Sequence, residues 1–272
     1  MGGANAYLCA MTLHIAFDNS YARLPDRFYT KLPPVTVADP QVLRDRGLTS
    51  VPAEDPLAVT IPGAVEGFCR MHALWGRRDL DAVMEPAIKY MENGVPMAAR
   101  VVWDYEYKAF ALTEEAKRHY LPWGRMPTPG DILRLPGQAE VLRRVVRDGP
   151  KGFYEGEVAE DMVDTLKALG GPHALEDFAS HRGTETEPVS GTYHGVELWE
   201  HPPNGQGATA ILLSNILAQF DIASMDPFGA DRAHIEAEAT RLAYDTRNRF
   251  LADADHMTRL DHMLDPETGA KL

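Results

Sequence analysis

Apolar residues recur at three- and four-residue intervals over much of the chain, a spacing that is typical of amphipathic helices. The clearest case runs from Glu155 to Leu169, and Gly170 and Gly171 are expected to end it because glycine commonly terminates helices. The same pattern predicts further helices over residues 60–75, 79–91, most of 95–120, 131–147, 208–220 and 232–251.

Two pairs of short apolar segments predict β-hairpins instead. Residues 189–193 and 196–199 are joined by the pair His194-Gly195, and residues 6–11 and 14–17 form a second pair. The stretch from 18 to 55 is rich in proline, and a long irregular loop of this kind is usually functional or wraps around a partner. Residues 264–272 are expected to form no further regular element.

A predicted strand and a predicted helix meet in the segment 197–208. Pro202-Pro203 cannot donate backbone hydrogen bonds, so the strand must end there. Gly205 and Gly207 permit backbone angles that are closed to other residues. The helix that follows points free N–H groups and a partial positive charge at whatever lies before it. The stretch Asn204–Gly207 therefore predicts either an oxygen- or anion-binding ledge or a tight turn without a ligand.

Composition and charge narrow the class of protein. The 272 residues suffice for one large domain, and the hydrophobic share of 44% and charged share of 25% are ordinary for a globular protein. The formal net charge of −13 argues against nucleic acid as a partner. No apolar run approaches the ~20 residues of a membrane helix. Cys9 and Cys69 form no zinc or disulfide pattern, and as buried free thiols they favour the cytoplasm over the periplasm.

The sequence contains no complete catalytic motif. It has no G-x-S-x-G elbow, no H-E-x-x-H zinc helix and no phosphate-binding loop. His256 and His262 are close in sequence but do not share a helical face, so we expect no metal site, and we expect no cofactor. Either the protein is not an enzyme or its nucleophile lies elsewhere.

The helix predicted over 232–251 has charged residues on the face opposite its apolar one. We expect these charges to be solvated or salt-bridged, and they are Arg241, Asp245, Arg247 and Arg249.

Several short motifs stand in an order that a known enzyme family shares. Residues 60–67, Thr-Ile-Pro-Gly-Ala-Val-Glu-Gly, resemble its V-P-G-x-V-x-G helix start, and residues 152–159 resemble its F-Y-x-G-x-x-A. Residues 202–207, Pro-Pro-Asn-Gly-Gln-Gly, stand where the family has Pro-Pro-Ser-Ser-Gly-Gly. Further likenesses lie at residues 80–96, 130–136, 215–217, 238–239 and 242–245. Together these motifs resemble the large (alpha) subunit of the gamma-glutamyltransferase family over most of the chain.

The resemblance implies an N-terminal nucleophile hydrolase with an α+β fold. Such a fold is a four-layer α-β-β-α sandwich, in which residues 1–272 would be a single domain that a second chain completes. These enzymes are made as one precursor that cuts itself and thereby exposes a threonine as the first residue of the small (beta) subunit. That threonine supplies the hydroxyl nucleophile and, through its α-amine, the base for acyl transfer.

The resemblance also implies the site and the partners. It places no catalytic residue in this chain, because the threonine belongs to the small subunit, expected beyond Leu272. It implies a small-molecule amide as the substrate and an (αβ)2 heterotetramer as the assembly. Backbone donors would hold the oxyanion that forms during the reaction.

One departure from the family concerns the substrate. The family has an arginine two residues after the aspartate that ends its second strand, where it grips the substrate α-carboxylate. Here Asp18 is followed by Asn19 and Ser20, and serine cannot make that bidentate charged contact. Arg23 either substitutes for it or is a surface charge. The substrate-binding residues expected for an amide other than a gamma-glutamyl one are Ser20, Tyr21, Arg23, Asn204, Gly205, Gln206 and Gly207.

Two alternatives to this amidohydrolase or acyltransferase remain open. The first is a non-catalytic binding or scaffold protein that retains the fold without self-cleavage. The second is an acylase acting on a dicarboxylic side chain, whose carboxylate Arg23 would bind.

Overall fold

The computed structural model describes residues 44–47 and 55–272. These residues belong to two compact units, the first ending at Gly183 and the second comprising Thr184–Leu272. The prediction that residues 1–272 form a single domain stays a prediction. Among the described residues, no helix combines the length and the apolar character that a membrane span requires. Four earlier predictions lie outside the described residues: the hairpin at 6–17, buried Cys9, most of the proline-rich stretch, and the roles of Ser20, Tyr21 and Arg23.

The first unit consists mainly of helices. Two short strands, β1 (Val95–Pro96) and β2 (Ile132–Leu133), pair antiparallel, and single 3-10 turns lie at Pro56–Ala58 and Ala109–Ala111. The helices are α1 (Ala64–Trp75), α2 (Leu80–Asn93), α3 (Ala99–Lys108), α4 (Glu114–Tyr120), α5 (Pro136–Asp148), α6 (Lys151–Tyr154), α7 (Glu157–Ala168) and α8 (Leu175–Ala179).

The predicted helix over 131–147 is wrong at its start. Ile132 and Leu133 form β2 and pair with β1, so the chain is extended there. Helix α5 begins only at Pro136, where proline fits because its missing N–H would have no acceptor in the first turn. The remaining helices predicted in this unit are confirmed to within a few residues, although β1 and a 3-10 turn interrupt the stretch 95–120.

The core of the first unit surrounds Tyr154. The hydroxyl of Tyr154 donates to the backbone oxygen of Pro62 at 2.5 Å and accepts from the N–H of Glu66 at 3.1 Å. Because no side chain caps the start of α1, this hydroxyl satisfies one of the N–H groups that a helix start leaves open. The buried apolar cluster consists of Ile61, Tyr154, Ala159, Val163 and Phe178.

A buried histidine also belongs to this core. His181 is 1% exposed and packs on Tyr154, with 5.1 Å between the ring centroids. Burial, and next to it the positive charge of Arg182, lowers the pKa of His181 below its ordinary value of 6.5. At neutral pH the folded protein therefore contains the neutral imidazole.

This lowered pKa predicts a pH-dependent stability. The unfolded chain binds the proton more readily than the folded chain does. The contribution of neutral His181 is therefore complete above pH 6.5 and is lost as the pH falls towards the lower folded-state pKa. We expect the fall in Tm between about pH 7.5 and about pH 5 to be smaller in His181→Gln than in the unaltered protein. Thermal unfolding followed by circular dichroism measures this, and an identical fall in both proteins would contradict it.

The second unit is built around one buried helix, α9 (Gly207–Leu217). Its other elements are the strands β3 (Val189–Tyr193) and β4 (Val196–Glu200), the helices α10 (Ala230–Phe250), α11 (Leu260–Leu264) and α12 (Pro266–Lys271), and a 3-10 turn at Ile222–Ser224. Tyr193 pairs with Val196, so the predicted hairpin with its two-residue turn is confirmed. His194 and Gly195 have φ of 47° and 81°, which a tight two-residue hairpin turn requires.

Helix α9 is buried because its neighbours cover several of its sides. The hairpin lies so close that a Cβ atom on Gly191 would be 2.6 Å from Cγ2 of Ile211. On another side, α9 and α10 pack through small residues, since Ala208, Ala239 and Ala243 are each at most 2% exposed. The buried cluster of this unit consists of Ala208, Leu212, Ile216, Ala239, Ala243 and Met263.

The expectation of an irregular tail at 264–272 is wrong, because α12 lies there. The Asp265 side chain caps the helix by accepting from the N–H of Glu267 at 2.9 Å. Gly269 lies against α9, where an added Cβ would be 2.7 Å from backbone and side-chain atoms of Asn215. Packing on α9 stabilises this short helix, which has no periodic apolar pattern, although Asp265 and Pro266 are residues typical of a helix start and could have indicated it.

Candidate functional site

The candidate site is the turn that joins β4 to α9, within the second unit. The N–H of Gly205 donates to the backbone oxygen of Pro202 at 3.0 Å and closes the turn. The carbonyl of Gln206 then accepts two N–H groups of the first turn of α9, at 2.9 and 3.2 Å. The predicted succession of strand, proline exit, turn and helix is therefore confirmed.

Gly207 is needed because α9 approaches β4 closely, and not because of an unusual backbone angle. Neither Gly205 nor Gly207 has a positive φ, which corrects the interpretation from sequence. A Cβ atom on Gly207 would lie 2.3 Å from the backbone oxygen of His201 and 2.5 Å from Cβ of Glu200. Only glycine lets the first residue of α9 touch the end of β4. This contact fixes where the helix begins.

The start of α9 presents backbone donors. The N–H groups of Gly207 and Ala208, the first two residues of the helix, have no acceptor within it, and the side chain of the preceding Gln206 does not cap them. The macrodipole adds a partial positive charge at the same end. Thr209, 4% exposed, contributes a buried hydroxyl with no hydrogen-bond partner in the described part of the chain. The free N–H groups and the helix dipole suit an oxygen atom that carries negative charge.

An open depression of about 310 Å³ lies beside this turn. It brings Asn204 together with residues from the end of α10 and the segment that follows, all within the second unit. Its lining consists of Asn204, Arg247, Asn248, Leu251, Ala252 and Asp253.

Arg247 is the cation of this depression. One of its terminal nitrogens, Nη1, donates to Oδ1 of Asn248 at 2.8 Å, and its guanidinium carbon lies 5.6 Å from the ring centroid of Tyr244. Its Nε is buried and has no hydrogen-bond partner among the described residues. Arg241 and Arg249, in contrast, pair with carboxylates at 2.7 and 2.9 Å, as predicted for a salt-bridged surface. Among the described residues Arg247 pairs with no carboxylate, so its positive charge is available to a ligand in the depression.

The structure brings together the four junction residues that the sequence predicted. Asn204 is exposed, Gly205 and Gln206 are half-buried, and Gly207 is buried. The sequence did not single out Arg247, which was predicted to be one of the solvated or salt-bridged charges of this helix. One signal could have found it: Arg247 is four residues after buried Ala243, at the border of the inward face of α10.

The described residues contain no group of three or more His, Cys, Asp or Glu that could bind a metal ion. Nδ1 of His262 instead lies 3.1 Å from the hydroxyl of Thr268. Cys69 is buried, as predicted, and burial together with nearby Glu66 raises the pKa of its thiol. Its thiol is therefore expected to be protonated and unreactive at neutral pH.

Comparison with known sequences identifies the family. Residues 34–272 match the family model described as Gamma-glutamyltranspeptidase. The Glutathione hydrolase-like YwrD proenzyme of Bacillus subtilis (strain 168) is 31% identical over 217 residues, which cover 78% of this chain and 41% of that protein. The chain thus spans less than half the length of this relative.

Solved structures agree with the sequence match. The gamma-glutamyltranspeptidase of Helicobacter pylori superposes with a TM-score of 0.79 at 28% identity, over 90% of this chain and 72% of that chain. The cephalosporin acylase from Bacillus halodurans gives 0.77 at 27% identity, over 90% of this chain and 47% of that chain. The predicted N-terminal nucleophile hydrolase fold and the correspondence to the large-subunit region are thereby confirmed. The chain belongs to the gamma-glutamyltranspeptidase family.

Proposed function

We propose that this chain is the large-subunit part of a self-cleaving, gamma-glutamyltransferase-like enzyme that hydrolyses or transfers an acyl group from an amide. The observation that carries the proposal is the family match over residues 34–272. The catalytic threonine then lies at the N-terminus of a small subunit cut from the same precursor. Relatives that are named proenzymes and are more than twice as long as the matched region support this second subunit. The assembly we propose is an (αβ)2 heterotetramer.

The reaction divides into two acyl transfers. The threonine hydroxyl attacks the amide carbonyl while the α-amine takes up its proton, and the proton is passed to the departing amine. The ester that remains is then attacked by water or by a second amine, which releases the acyl group and restores the threonine. At both stages the carbonyl oxygen gains negative charge, so positioned donors accelerate both.

Within this chain, the start of α9 is the part we propose to contact the substrate. Its N–H groups and the hydroxyl of Thr209 are held in place by the packing of Gly207 against β4, so they need no rearrangement when charge develops. Asn204 and Arg247 add an amide and a guanidinium in the adjoining depression. They suit an acyl group that carries oxygen acceptors.

Self-cleavage tests this proposal directly. The full-length gene product should give two fragments on a denaturing gel, the smaller one beginning with threonine by N-terminal sequencing. Threonine-to-alanine substitution at that residue should leave a single band. Incubation with substrate should also yield a hydroxylamine-sensitive ester on the small fragment. A single uncut band in the unaltered protein, without an ester, would overturn the proposal and favour the binding or scaffold protein.

The identity of residue 20 predicts the substrate preference. Ser20 lacks the charge and the fork of the arginine expected there, so gamma-glutamyl amides should be poorer substrates than simple acyl amides or oxamate-like compounds. We expect Ser20→Arg to raise kcat/KM for a gamma-glutamyl anilide about tenfold, the usual effect of one charge-assisted contact. Ser20→Lys, with a charge but no fork, should gain less. An unchanged ratio of kcat/KM between the gamma-glutamyl and the simple acyl substrates would contradict this role for Ser20.

The same assay applied to substitutions of Tyr21 and Arg23 tests their predicted contact with the acyl group.

A further inference from the structure

The turn that precedes helix α10 presents a phenylalanine to solvent. Phe228 is 98% exposed, more than any other large apolar side chain among the described residues. The turn that carries it is ordered. Oδ1 of Asp226 accepts from the N–H of Phe228 at 3.0 Å, and the backbone oxygen of Asp226 accepts from the N–H of Gly229 at 2.9 Å. These bonds fix the turn in a conformation that leaves the ring in solvent.

A depression of about 240 Å³ lies beside Phe228, within the same unit. Its lining comes from both sides of Phe228 in the chain and consists of Met225, Asp226, Gly229, Ala230, Asp231 and Arg232. A cavity of about 150 Å³ is enough to bind benzene. The depression therefore has room for the ring of a phenylalanine from another molecule. We name Phe228 and this depression together the Phe228 surface.

The Phe228 surface is complementary to itself. Because the projecting ring and the depression are neighbours, two copies related by a two-fold axis can each insert the ring into the other's depression. The guanidinium of Arg232 in that depression suits the face of an aromatic ring. Asp226 and Asp231 lie beside this arginine, so the acidic groups of each copy would meet a cation of the other. Such pairing offsets the repulsion between two chains of net charge −13.

The exposed area indicates how strong this contact is. Burial of one phenylalanine removes roughly 150–250 Å² from solvent. A stable complex of two separate molecules buries about 800 Å² on each partner. The Phe228 surface is therefore the centre of a contact rather than a permanent interface, and the association should depend on concentration. A few central aromatic side chains commonly dominate such contacts.

We propose that the Phe228 surface is the contact between two copies of this chain in a two-fold assembly, with Phe228 of each copy in the depression of the other. This inference rests on the proposed function, which includes an (αβ)2 assembly but assigns no surface to it. The small subunit and an unrelated protein are the alternative occupants, and a cross-link from residue 228 distinguishes them from a second copy.

That cross-link uses the photoreactive p-benzoylphenylalanine in place of Phe228 in the complete gene product. Protein labelled with ¹⁵N and unlabelled protein are mixed in dilute solution, concentrated together and irradiated. We expect cross-linked peptides with one labelled and one unlabelled partner, which join residue 228 to Met225 or to residues 229–232. Cross-links to the small subunit, or the absence of any cross-link between copies, would overturn the proposal.

Phe228→Ser gives a second measurement. In sedimentation velocity over a dilution series of the complete gene product, we expect the dissociation constant of the two-fold assembly to rise at least about thirtyfold, since a central aromatic side chain has an effect of this order and the symmetry repeats it. Phe110→Ser, which replaces a side chain that is 77% exposed in the first unit, is the matched control and should associate like the unaltered protein.

Equal association of all three proteins, or an equal loss in both variants, would overturn the proposal. Self-cleavage and amide hydrolysis measured on the same samples keep this outcome separate from the proposed function. A cut and active enzyme that stays a single αβ pair at every concentration refutes only the contact at Phe228.

Discussion

Gly207→Ala is expected to damage both the stability and the activity of the protein. The added methyl group would lie 2.3 Å from a backbone oxygen and 2.5 Å from a Cβ atom, and neither can move away as a flexible side chain would. The start of α9 must then shift away from β4. Forcing an atom into such a packed place typically costs about 1–3 kcal/mol of unfolding free energy. Because displacement of a positioned group by about 1 Å can cost on the order of a hundredfold in rate, we expect kcat/KM to fall by roughly that factor.

Gly137→Ala is the matched control for this substitution. Gly137 lies in the first turn of α5, and nothing is within 4 Å of where its Cβ would be. Alanine at such a position commonly stabilises by about 0.4–1 kcal/mol, because the unfolded chain loses freedom. Urea unfolding and steady-state kinetics of both variants make the comparison. If Gly207→Ala behaved like Gly137→Ala, the close contact between α9 and β4 would not be required for the site.

The sequence predicted those elements whose signal is local. The hydrophobic spacing within α7 and α10 and the two-residue turn between β3 and β4 each lie within one short stretch. Residues 131–135 were misassigned because their conformation depends on pairing with β1, more than thirty residues earlier in the chain. Helix α12 was missed because it depends on contact with Asn215 of α9. Nonlocal contacts of this kind leave no periodic pattern in the sequence.

In the candidate site, too, the sequence predicted the local backbone but not the roles that depend on contacts with other residues. The prolines and glycines located the turn correctly, since their backbone restrictions act at their own positions. The physical role of Gly207 differs from the predicted one. It is required because a Cβ atom there would clash with atoms of Glu200 and His201. Arg247 could not be separated from Arg241 and Arg249 by charge alone. What distinguishes it is that the other two have carboxylate partners one helical turn away.

Arg247→Lys is expected to lower kcat/KM about ten- to a hundredfold while the protein stays folded. Lysine retains the positive charge but loses the planar fork, so it cannot make the paired hydrogen bonds that arginine makes to a carboxylate or an amide oxygen. The loss of the bond to Asn248 and of the stacking on Tyr244 should cost only about 1 kcal/mol in unfolding free energy. If Arg247 holds the substrate equally in the ground and transition states, the effect appears in KM with kcat unchanged.

Arg249→Lys separates this role from a general effect of arginine on α10. Arg249 lies on the same helix and pairs with Asp245 at 2.9 Å on the exposed surface, where such pairs contribute little. We expect this control to keep kcat/KM within about twofold of the unaltered enzyme. Should Arg247→Lys lower Tm while kcat/KM stays at the control's value, Arg247 would be a packing residue, and the depression beside Asn204 would lose its proposed function. A rise in KM confined to Arg247→Lys, with Tm nearly unchanged, would place the substrate's acyl group against this guanidinium.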